Sequence, residues 1–213
     1  MPPPPALALI AIAHPDFRNT LLDEAKALGY LEAACTIKNV FPYPVEDERK
    51  VGLRNGKPVT IRPAMVFDAG NIKSLFYELP DTDRYTRFFR QIRSLSSDDV
   101  EKLCNVDYRL AVAFVAVDGS RETNHVVGHA SYFVNPSTNM AETAFMVAPA
   151  WQGTGLGSAL QNCLVEHAKK RGIRGFQAEI LPQNLSMISL ARKCCENVST
   201  QRDEDTVHVT MLF

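Results

Sequence analysis

The sequence lacks the features that mark several classes of protein. Its 213 residues carry 23 Lys and Arg against 24 Asp and Glu, and a net charge of −1 supplies no field to attract nucleic acid or an acidic membrane. No apolar run is long enough to cross a bilayer. Residues 1–5 contain no basic side chain, which does not fit a secretory signal. We therefore expect a cytoplasmic protein with no nucleic-acid partner and no membrane partner.

A metal site is also not expected, because the cysteines and histidines lack ligand spacing. His125 and His129 are four residues apart, but the Val-Val-Gly between them favours a strand, where the two rings would not converge on one ion. No C-x-x-C pair occurs, and an odd cysteine count with one vicinal pair is typical of reduced thiols that act as small core residues. The five cysteines are Cys35, Cys104, Cys163, Cys194 and Cys195.

The most informative stretch is segment 147–160, where an apolar strand end is followed by a proline, three alternating glycines and an amphipathic helix. Gly153, Gly155 and Gly157 allow successive backbone N–H groups to face one ligand without interference from Cβ atoms. The following helix directs the positive end of its dipole at the same place. The segment therefore predicts an anion cradle that suits a pyrophosphate.

Two common phosphate loops do not fit this glycine spacing. A Walker A loop requires a lysine after its last glycine, whereas Ser158 follows Gly157. A Rossmann loop requires G-x-G-x-x-G and an acidic residue at the end of the next strand, whereas Glu179 falls inside that strand. The pattern Gln/Arg-x-x-Gly-x-Gly/Ala is matched by Gln152, Gly155 and Gly157, and it resembles the acetyl-CoA loop of the GNAT acyltransferase superfamily. The alternative is a turn that only packs the helix on the sheet.

The rest of the chain predicts an α/β (α+β) domain over residues 58–213. Apolar alternation and continuous apolar runs predict strands at 59–63, 109–117, 126–134, 141–147, 175–181 and 207–212. Amphipathic spacing predicts helices at 66–79, 83–93, 96–104, 156–170 and 184–194. This order resembles the GNAT fold, which implies a central mixed, twisted sheet of six to seven strands flanked by helices.

Three motifs sharpen this resemblance. Arg62-Pro63, the aromatic and arginine-rich segment 84–89, and the Ala-Glu-Ile-Leu-Pro-x-Asn run at 178–184 are similar to bacterial Pat-type protein lysine acetyltransferases. The alternative for segment 84–89 is a purely structural role, as a core helix with solvated arginines.

The N-terminal segment predicts a separate βα unit. Residues 6–13 form a continuous apolar run, typical of a strand buried on both faces, and a helix is predicted from Phe17 to Leu28. The run Ile-Ala-His-Pro-Asp-Phe-Arg at 12–18 resembles the C-terminal end of an acetyl-CoA hydrolase/transferase. The resemblance implies that residues 1–37 are the remnant of a preceding CoA-transferase-like domain. The alternative is a βα extension that docks on the main domain, and residues 38–57 are predicted to be a linker.

The GNAT resemblance implies a site for acetyl-CoA as cosubstrate. Backbone N–H groups of the glycine loop would bind the pyrophosphate, and backbone groups at the end of strand 141–147 would pair with the pantetheine and offer an N–H, that of Val147, to the thioester carbonyl. Asn184 would position the cofactor arm, or would simply cap its helix. The expected cofactor-binding residues are Met146, Val147, Gln152, Gly153, Thr154, Gly155, Leu156, Gly157, Ser158 and Asn184.

The resemblance also implies a general base. Glu142 lies on the strand that would hold the thioester and shares a face with Ala144 and Met146. We expect it to act on the amine through a water, with burial raising its pKa. Glu179 is the alternative base, and a solvated glutamate at a sheet edge is the alternative role for Glu142. The helix over 184–194 contains no tyrosine to protonate the leaving thiolate, which can leave unaided.

The expected activity is N-acetyl transfer from acetyl-CoA to a primary amine, for which the Pat-like motifs imply a protein lysine. One alternative is a non-catalytic acetyl-CoA-binding regulatory module attached to a CoA transferase. Another is an acetyltransferase for small-molecule amines, which would have a closed acidic pocket rather than an open groove.

Overall fold

The computed structural model divides the chain into two compact units, Met1–Pro44 and Val45–Phe213. It describes residues 6, 9–10, 13, 15–33, 44–104, 106, 110–119, 125–195 and 197–213. No helix among these residues is long and apolar enough to cross a membrane.

The N-terminal unit is built on helix α1 (Pro15–Ala27), in agreement with the helix predicted there. Its small apolar core consists of Ile10, Leu22, Ala25 and Leu31. The strand predicted over 6–13 is wrong, because residues 6, 9 and 10 are helical. A short continuous apolar run suits a buried helix as well as a buried strand, and periodicity alone does not separate the two. That residues 1–37 descend from a CoA transferase stays a prediction.

Among the described residues, the second unit contains one sheet of eight strands. The strands are β1 (Arg49–Gly52), β2 (Pro58–Pro63), β3 (Ala111–Asp118), β4 (His125–Asn135), β5 (Met140–Val147), β6 (Gly175–Ile180), β7 (Asn197–Arg202) and β8 (Val207–Leu212). Their order is β1-β2-β3-β4-β5-β6-β8-β7, and only the β5–β6 pair is parallel. The mixed sheet is confirmed, but six to seven strands was too few because the two edge strands β1 and β7 were missed.

Helices cover both faces of this sheet. They are α2 (Ala69–Glu78), α3 (Asp81–Phe88), α4 (Ser97–Cys104), α5 (Leu156–Lys170) and α6 (Leu185–Cys194). On one face, the imidazole of His129 in β4 contacts the carbonyl of Leu103 in α4. On the other face, Tyr132 in the same strand contacts His167 in α5. Residues 129 and 132 point to opposite sides of a strand, so α4 and α5 lie on opposite faces.

The core lies in two layers against this sheet. On the α2 side, Ile72, Leu75 and Phe76 are fully buried at helical spacing. On the α5 side, Leu156, Leu160 and Leu164 form the buried stripe of a helix whose bounds match the predicted 156–170. Helix α3 ends earlier than predicted, at Phe88, because Phe89 adopts the left-handed conformation with φ of 53°.

The second half of the predicted linker belongs to the folded unit. A 3₁₀ turn at Val45–Asp47 leads into β1, which pairs with β2. The buried carboxylate of Asp47 accepts a hydrogen bond from Lys170 Nζ at 2.8 Å, and Arg49 pairs with Glu166 at 2.8 Å. The linker predicted over 38–57 is therefore too long, and residues 38–43 lie outside the described residues.

Candidate functional site

The candidate site is a cleft between β5 and β6. The two strands pair only at their beginnings, where Met140–Glu142 lies beside Gly175–Gln177. Beyond this point they separate, although β5 continues to Val147 and β6 to Ile180. The separation opens a cleft of about 850 Å³, whose walls also include α3, the glycine loop and the start of α6.

The open side of β5 exposes backbone groups to this cleft. Ala148 donates its N–H to Val127 of β4 at 2.9 Å, one residue beyond the register pair of Val147 and Gly128. Because backbone groups alternate in direction along an antiparallel pair, those of Met146 face β4, whereas those of Phe145 and Val147 face the cleft. The pantetheine contact predicted for Val147 is compatible with this register. The one predicted for Met146 is not compatible with it, whereas the backbone groups of Phe145 face the cleft.

The glycine loop presents unpaired backbone donors. Gly153 and Gly155 have φ of +73° and +95°, a conformation that favours glycine. In the described part of the chain, the backbone N–H groups of residues 153–158 donate to no protein acceptor. They include the first turn of α5, where the positive end of the helix dipole lies. This arrangement fits an anionic group such as a pyrophosphate.

Side chains of the predicted donor site lie in different surroundings. Gln152, Gly153, Gly155, Gly157 and Ser158 line the cleft. The side chain of Leu156 is fully buried in the core, so only its backbone N–H is left for a ligand. Thr154 is half-buried and donates its hydroxyl to the carbonyl of Trp151 at 2.6 Å, which stabilises the loop.

Asn184 caps helix α6 at the edge of the cleft. Its side-chain oxygen accepts a hydrogen bond from the backbone N–H of Met187 at 3.2 Å, and the residue also lines the cleft. The structure thus accounts for the asparagine as an N-cap. Its side-chain N–H₂ group is still available to a ligand.

Glu142 lies on the wall of the cleft, as predicted, but its side chain is exposed. The burial that was expected for this side chain is therefore absent. In the register, Glu142 lies opposite Phe133, so it shares a sheet face with Ser131 and His129. Glu179, the alternative base, also lines the cleft and is exposed, and its carboxylate lies 3.6 Å from His208 Nδ1.

Arg87 of α3 was not assigned a role from the sequence, yet it is an unusual group in this cleft. Its Nε atom is enclosed, and the described residues offer it no acceptor. Burial lowers the pKa of Arg87 to about 10, and the negative charge of Glu142 acts in the opposite direction. The base candidate therefore has a cation in its vicinity. Only its position in the aromatic and arginine-rich segment 84–89 pointed to it.

Two buried polar side chains of β4, His129 and Ser131, lie on the same sheet face as Glu142. His129 Nε2 is 2.9 Å from the carbonyl oxygen of Leu103, so this nitrogen carries the proton. Burial lowers the pKa of His129 to about 4, and the charge of Arg87 acts in the same direction. The imidazole is thus neutral at neutral pH. Within the described residues, His129 Nδ1 and Ser131 Oγ have no hydrogen-bond partner.

Comparison with known proteins identifies the family. The model of the acetyltransferase (GNAT) family matches residues 77–195, more than half of the chain. The chain belongs to the GNAT acetyltransferase family. The matched range includes the glycine loop, the split strands β5 and β6, and Glu142, so most of the cleft lies within the matched range.

Three relatives illustrate the similarity of this GNAT domain to known proteins. An acetyltransferase of Pseudomonas aeruginosa is 28% identical over 153 residues, which cover 72% of this chain and 81% of that protein. The acetyltransferase Pat of Mycolicibacterium smegmatis is 30% identical over 150 residues, which cover 70% of this chain but only 42% of Pat. The crystal structure of the GNAT domain of S. lividans PAT superimposes with a TM-score of 0.73 at 30% identity, covering 80% of this chain and 99% of that domain.

One basic residue that lines the cleft was missed because it lies in the segment predicted to be a linker. Arg54, in the turn between β1 and β2, lines the cleft. Its side-chain atoms lie 3.6–3.8 Å from the point where a Cβ on Gly155 would be. Nothing in the local sequence pairs this turn with the glycine loop, because their contact depends on the sheet.

The described residues contain no group of three or more His, Cys, Asp or Glu side chains that could hold a metal ion. His129 and His125 both lie in β4, one buried and the other exposed. Of the cysteines, Cys104, Cys163 and Cys195 are free thiols. Burial raises the pKa of Cys163 to about 11, which suits a core residue.

Proposed function

We propose that this GNAT domain transfers the acetyl group of acetyl-CoA to the side-chain amine of a protein lysine, with Glu142 as the general base. The observation that carries the proposal is the position of Glu142, which lies on β5 at the point where that strand separates from β6. Beyond this point the backbone groups of Phe145 and the N–H of Val147 are available to the donor, whereas the Val147 carbonyl also accepts a hydrogen bond from Gln152. The base candidate and the donor site therefore share one strand.

The donor half of the proposal is supported by the free backbone groups. The N–H groups of residues 153–158 suit the pyrophosphate, and the backbone of Phe145 and Val147 suits the amides of the pantetheine arm. The N–H of Val147 would then be offered to the thioester oxygen as negative charge develops on it.

The acceptor half is supported by the acidic groups of the cleft. The carboxylates of Asp83 and Glu142 lie on its wall, together with the basic residues Arg87 and Arg90, and these carboxylates can attract a lysine ammonium group. The Pat-like motifs of the sequence favour a protein acceptor, and the chain spans less than half of the acetyltransferase Pat of M. smegmatis.

The chemistry requires one proton transfer and one displacement. Glu142 would take a proton from the lysine ammonium through a water, because its exposed carboxylate is accessible to solvent. The amine nitrogen would attack the thioester carbon, the N–C bond would form, and the C–S bond would break to release the CoA thiolate. Helix α6 contains no tyrosine, and a thiolate needs no strong acid in order to leave.

Two further interpretations accompany this proposal. A cytoplasmic location would give the domain both acetyl-CoA and reduced thiols. The segment 1–37 would come from a preceding CoA-transferase domain that produces or consumes the same thioester. Mass spectrometry of the intact gene product from its source would show whether such a domain precedes it, and a product with no further domain would contradict this second interpretation.

The acceptor can be tested by following CoA thiol release with protein lysines and with polyamines as competing acceptors. We expect acceptor-dependent release and a mass increase of one acetyl group on protein lysines. Release with polyamines alone would contradict the protein acceptor and favour a small-molecule acetyltransferase. Tight binding of acetyl-CoA in titration calorimetry without release on any acceptor would favour the non-catalytic module.

A further inference from the structure

The segment before β2 is attached near the C-terminal end of α5 and at the loop that precedes this helix. Near the C-terminal end of that helix, Asp47 pairs with Lys170, and Arg49 pairs with Glu166 about one turn earlier. At the N-terminal end, the backbone N–H of Arg54 donates to the carbonyl of Thr154 at 3.0 Å. These contacts direct the β1–β2 turn to the beginning of α5, where the glycine loop lies.

The turn itself has a defined geometry. Leu53 is buried, and its N–H donates to the carbonyl of Lys57 at 3.0 Å to close the hairpin. Gly56, with φ of +78°, donates its own N–H to the carbonyl of Leu53 at 2.9 Å. The ammonium group of Lys57 lies 5.3 Å from the centre of the Trp151 ring, which adds a second contact between the turn and the loop.

Arg54 extends from this turn along the glycine loop. Its Cγ, Cδ and Nε atoms pass within 3.6–3.8 Å of the Cβ position at Gly155, and the residue lines the cleft. The side chain is exposed, and no described residue accepts a hydrogen bond from its guanidinium group. A free guanidinium therefore lies beside the free N–H groups of residues 153–158, and the two sets of donors can act on the same anion.

We propose that Arg54 binds the pyrophosphate of acetyl-CoA, so that the β1–β2 hairpin is part of the donor site. This inference rests on acetyl-CoA as the donor. The hairpin lies outside residues 77–195, so the family match does not include it. Arginine suits this role because its planar group can donate two parallel hydrogen bonds to phosphate oxygens and stays charged at every physiological pH. Because Arg54 lies close to Gly155, inside the glycine loop, we assign it to the pyrophosphate rather than to the 3′-phosphate.

The test measures the dissociation constants of three donors by titration calorimetry without an acceptor. The donors are acetyl-CoA, acetyl-dephospho-CoA, which lacks the 3′-phosphate, and acetyl-pantetheine, which lacks all phosphates. We expect Arg54→Gln to weaken the first two donors equally, by roughly tenfold, as the loss of a charged hydrogen bond would do. Acetyl-pantetheine should bind to the wild type and to Arg54→Gln with the same dissociation constant. Arg54→Lys should recover part of the affinity that Arg54→Gln loses for the two phosphate-containing donors.

Lys50→Gln is the matched control, because it removes one exposed positive charge from the same hairpin without touching the cleft. It should change no dissociation constant. If Lys50→Gln and Arg54→Gln lost the same affinity for the donors, the effect would come from the overall charge of the hairpin and not from a contact of Arg54. This result would overturn the proposal. If Arg54→Gln weakened the binding of acetyl-CoA but not of acetyl-dephospho-CoA, Arg54 would bind the 3′-phosphate instead. This result would overturn the proposal as well. If the wild type itself bound none of the donors, the donor assignment would fail, and this inference would fail with it.

Discussion

The side-chain amide of Gln152 joins the carboxylate of Asp83 to the carbonyl oxygen of Val147. Its Nε2 atom donates to Asp83 Oδ2 at 2.8 Å and to the Val147 oxygen at 3.2 Å. Asp83 belongs to α3, and Val147 ends β5, so one side chain connects the glycine loop to the helix on the acceptor side and to the strand on the donor side. This carbonyl is also one of the cleft-facing groups of β5 that suit the pantetheine arm.

The first prediction concerns this connection. Gln152→Glu replaces a donor by a carboxylate that faces the carboxylate of Asp83 and lies near the pyrophosphate site. We expect the dissociation constant for acetyl-CoA to rise roughly tenfold, because the variant loses the hydrogen bonds of Gln152 and its new carboxylate repels the nearby negative charges. Titration calorimetry measures it. Gln152→Ala removes the same hydrogen bonds without adding charge and should lose less affinity. Equal affinities for the two variants would contradict the electrostatic argument.

The second prediction concerns the backbone of the glycine loop. Gly155 has φ of +95°, whereas a Cβ there would meet Arg54 only at ordinary contact distances. Gly155→Ala should therefore act through backbone strain, with a loss of unfolding free energy of about 1–3 kcal/mol and weaker binding of acetyl-CoA.

Urea denaturation and titration calorimetry measure the two effects. Gly52→Ala is the control, because a Cβ at Gly52 meets no atom within 4 Å and the backbone there is not left-handed. It should change both properties little. A Gly155→Ala variant as stable as Gly52→Ala would show that the loop conformation is not needed.

The third prediction is a pH dependence of stability. Burial lowers the pKa of His129 to about 4, below its ordinary value of about 6.5. The unfolded state therefore binds a proton that the folded state excludes, so the contribution of His129 to stability is present above about pH 6.5 and is lost as the pH falls towards about 4. Between about pH 7.5 and about pH 5 the loss should be on the order of 2 kcal/mol.

His129→Gln supplies the control, since glutamine can donate to the Leu103 carbonyl but does not titrate. Burial also lowers the pKa of His167, so both proteins should lose stability in acid, and the difference between them isolates His129. Urea denaturation at both pH values gives this difference. Parallel losses in the two proteins would contradict a buried neutral imidazole at position 129.

The sequence predicted the central elements well because their signals are local. Helix α5 has an apolar stripe at helical spacing between Gly155 and Gly172, and its predicted bounds match the structure. Residues 6–13 were mispredicted as a strand because an apolar run without a period does not distinguish a strand from a helix. The edge strand β7 was missed since five of its six residues are exposed and give no apolar alternation.

The sequence brought candidate residues together where a motif contains them, and it missed the contacts that only the tertiary structure creates. Glu142 and the glycine loop line one cleft, as their motifs implied. The exposure of Glu142 and the direction of the Met146 backbone depend on which strands β5 pairs with. Arg54 reaches Gly155 only because β1 adds to the far edge of the sheet, and single-sequence patterns contain no signal for such a contact.

The central claim, that Glu142 drives acetyl transfer in this cleft, is tested most directly by acceptor-dependent CoA release from Glu142→Gln, beside its acetyl-CoA affinity. Glu179→Gln, on the opposite wall, is the matched control and should stay close to wild type. The account predicts that Glu142→Gln lowers kcat by roughly 100-fold or more, as the loss of a general base does, while the dissociation constant for acetyl-CoA hardly changes. Wild-type turnover by Glu142→Gln would contradict it.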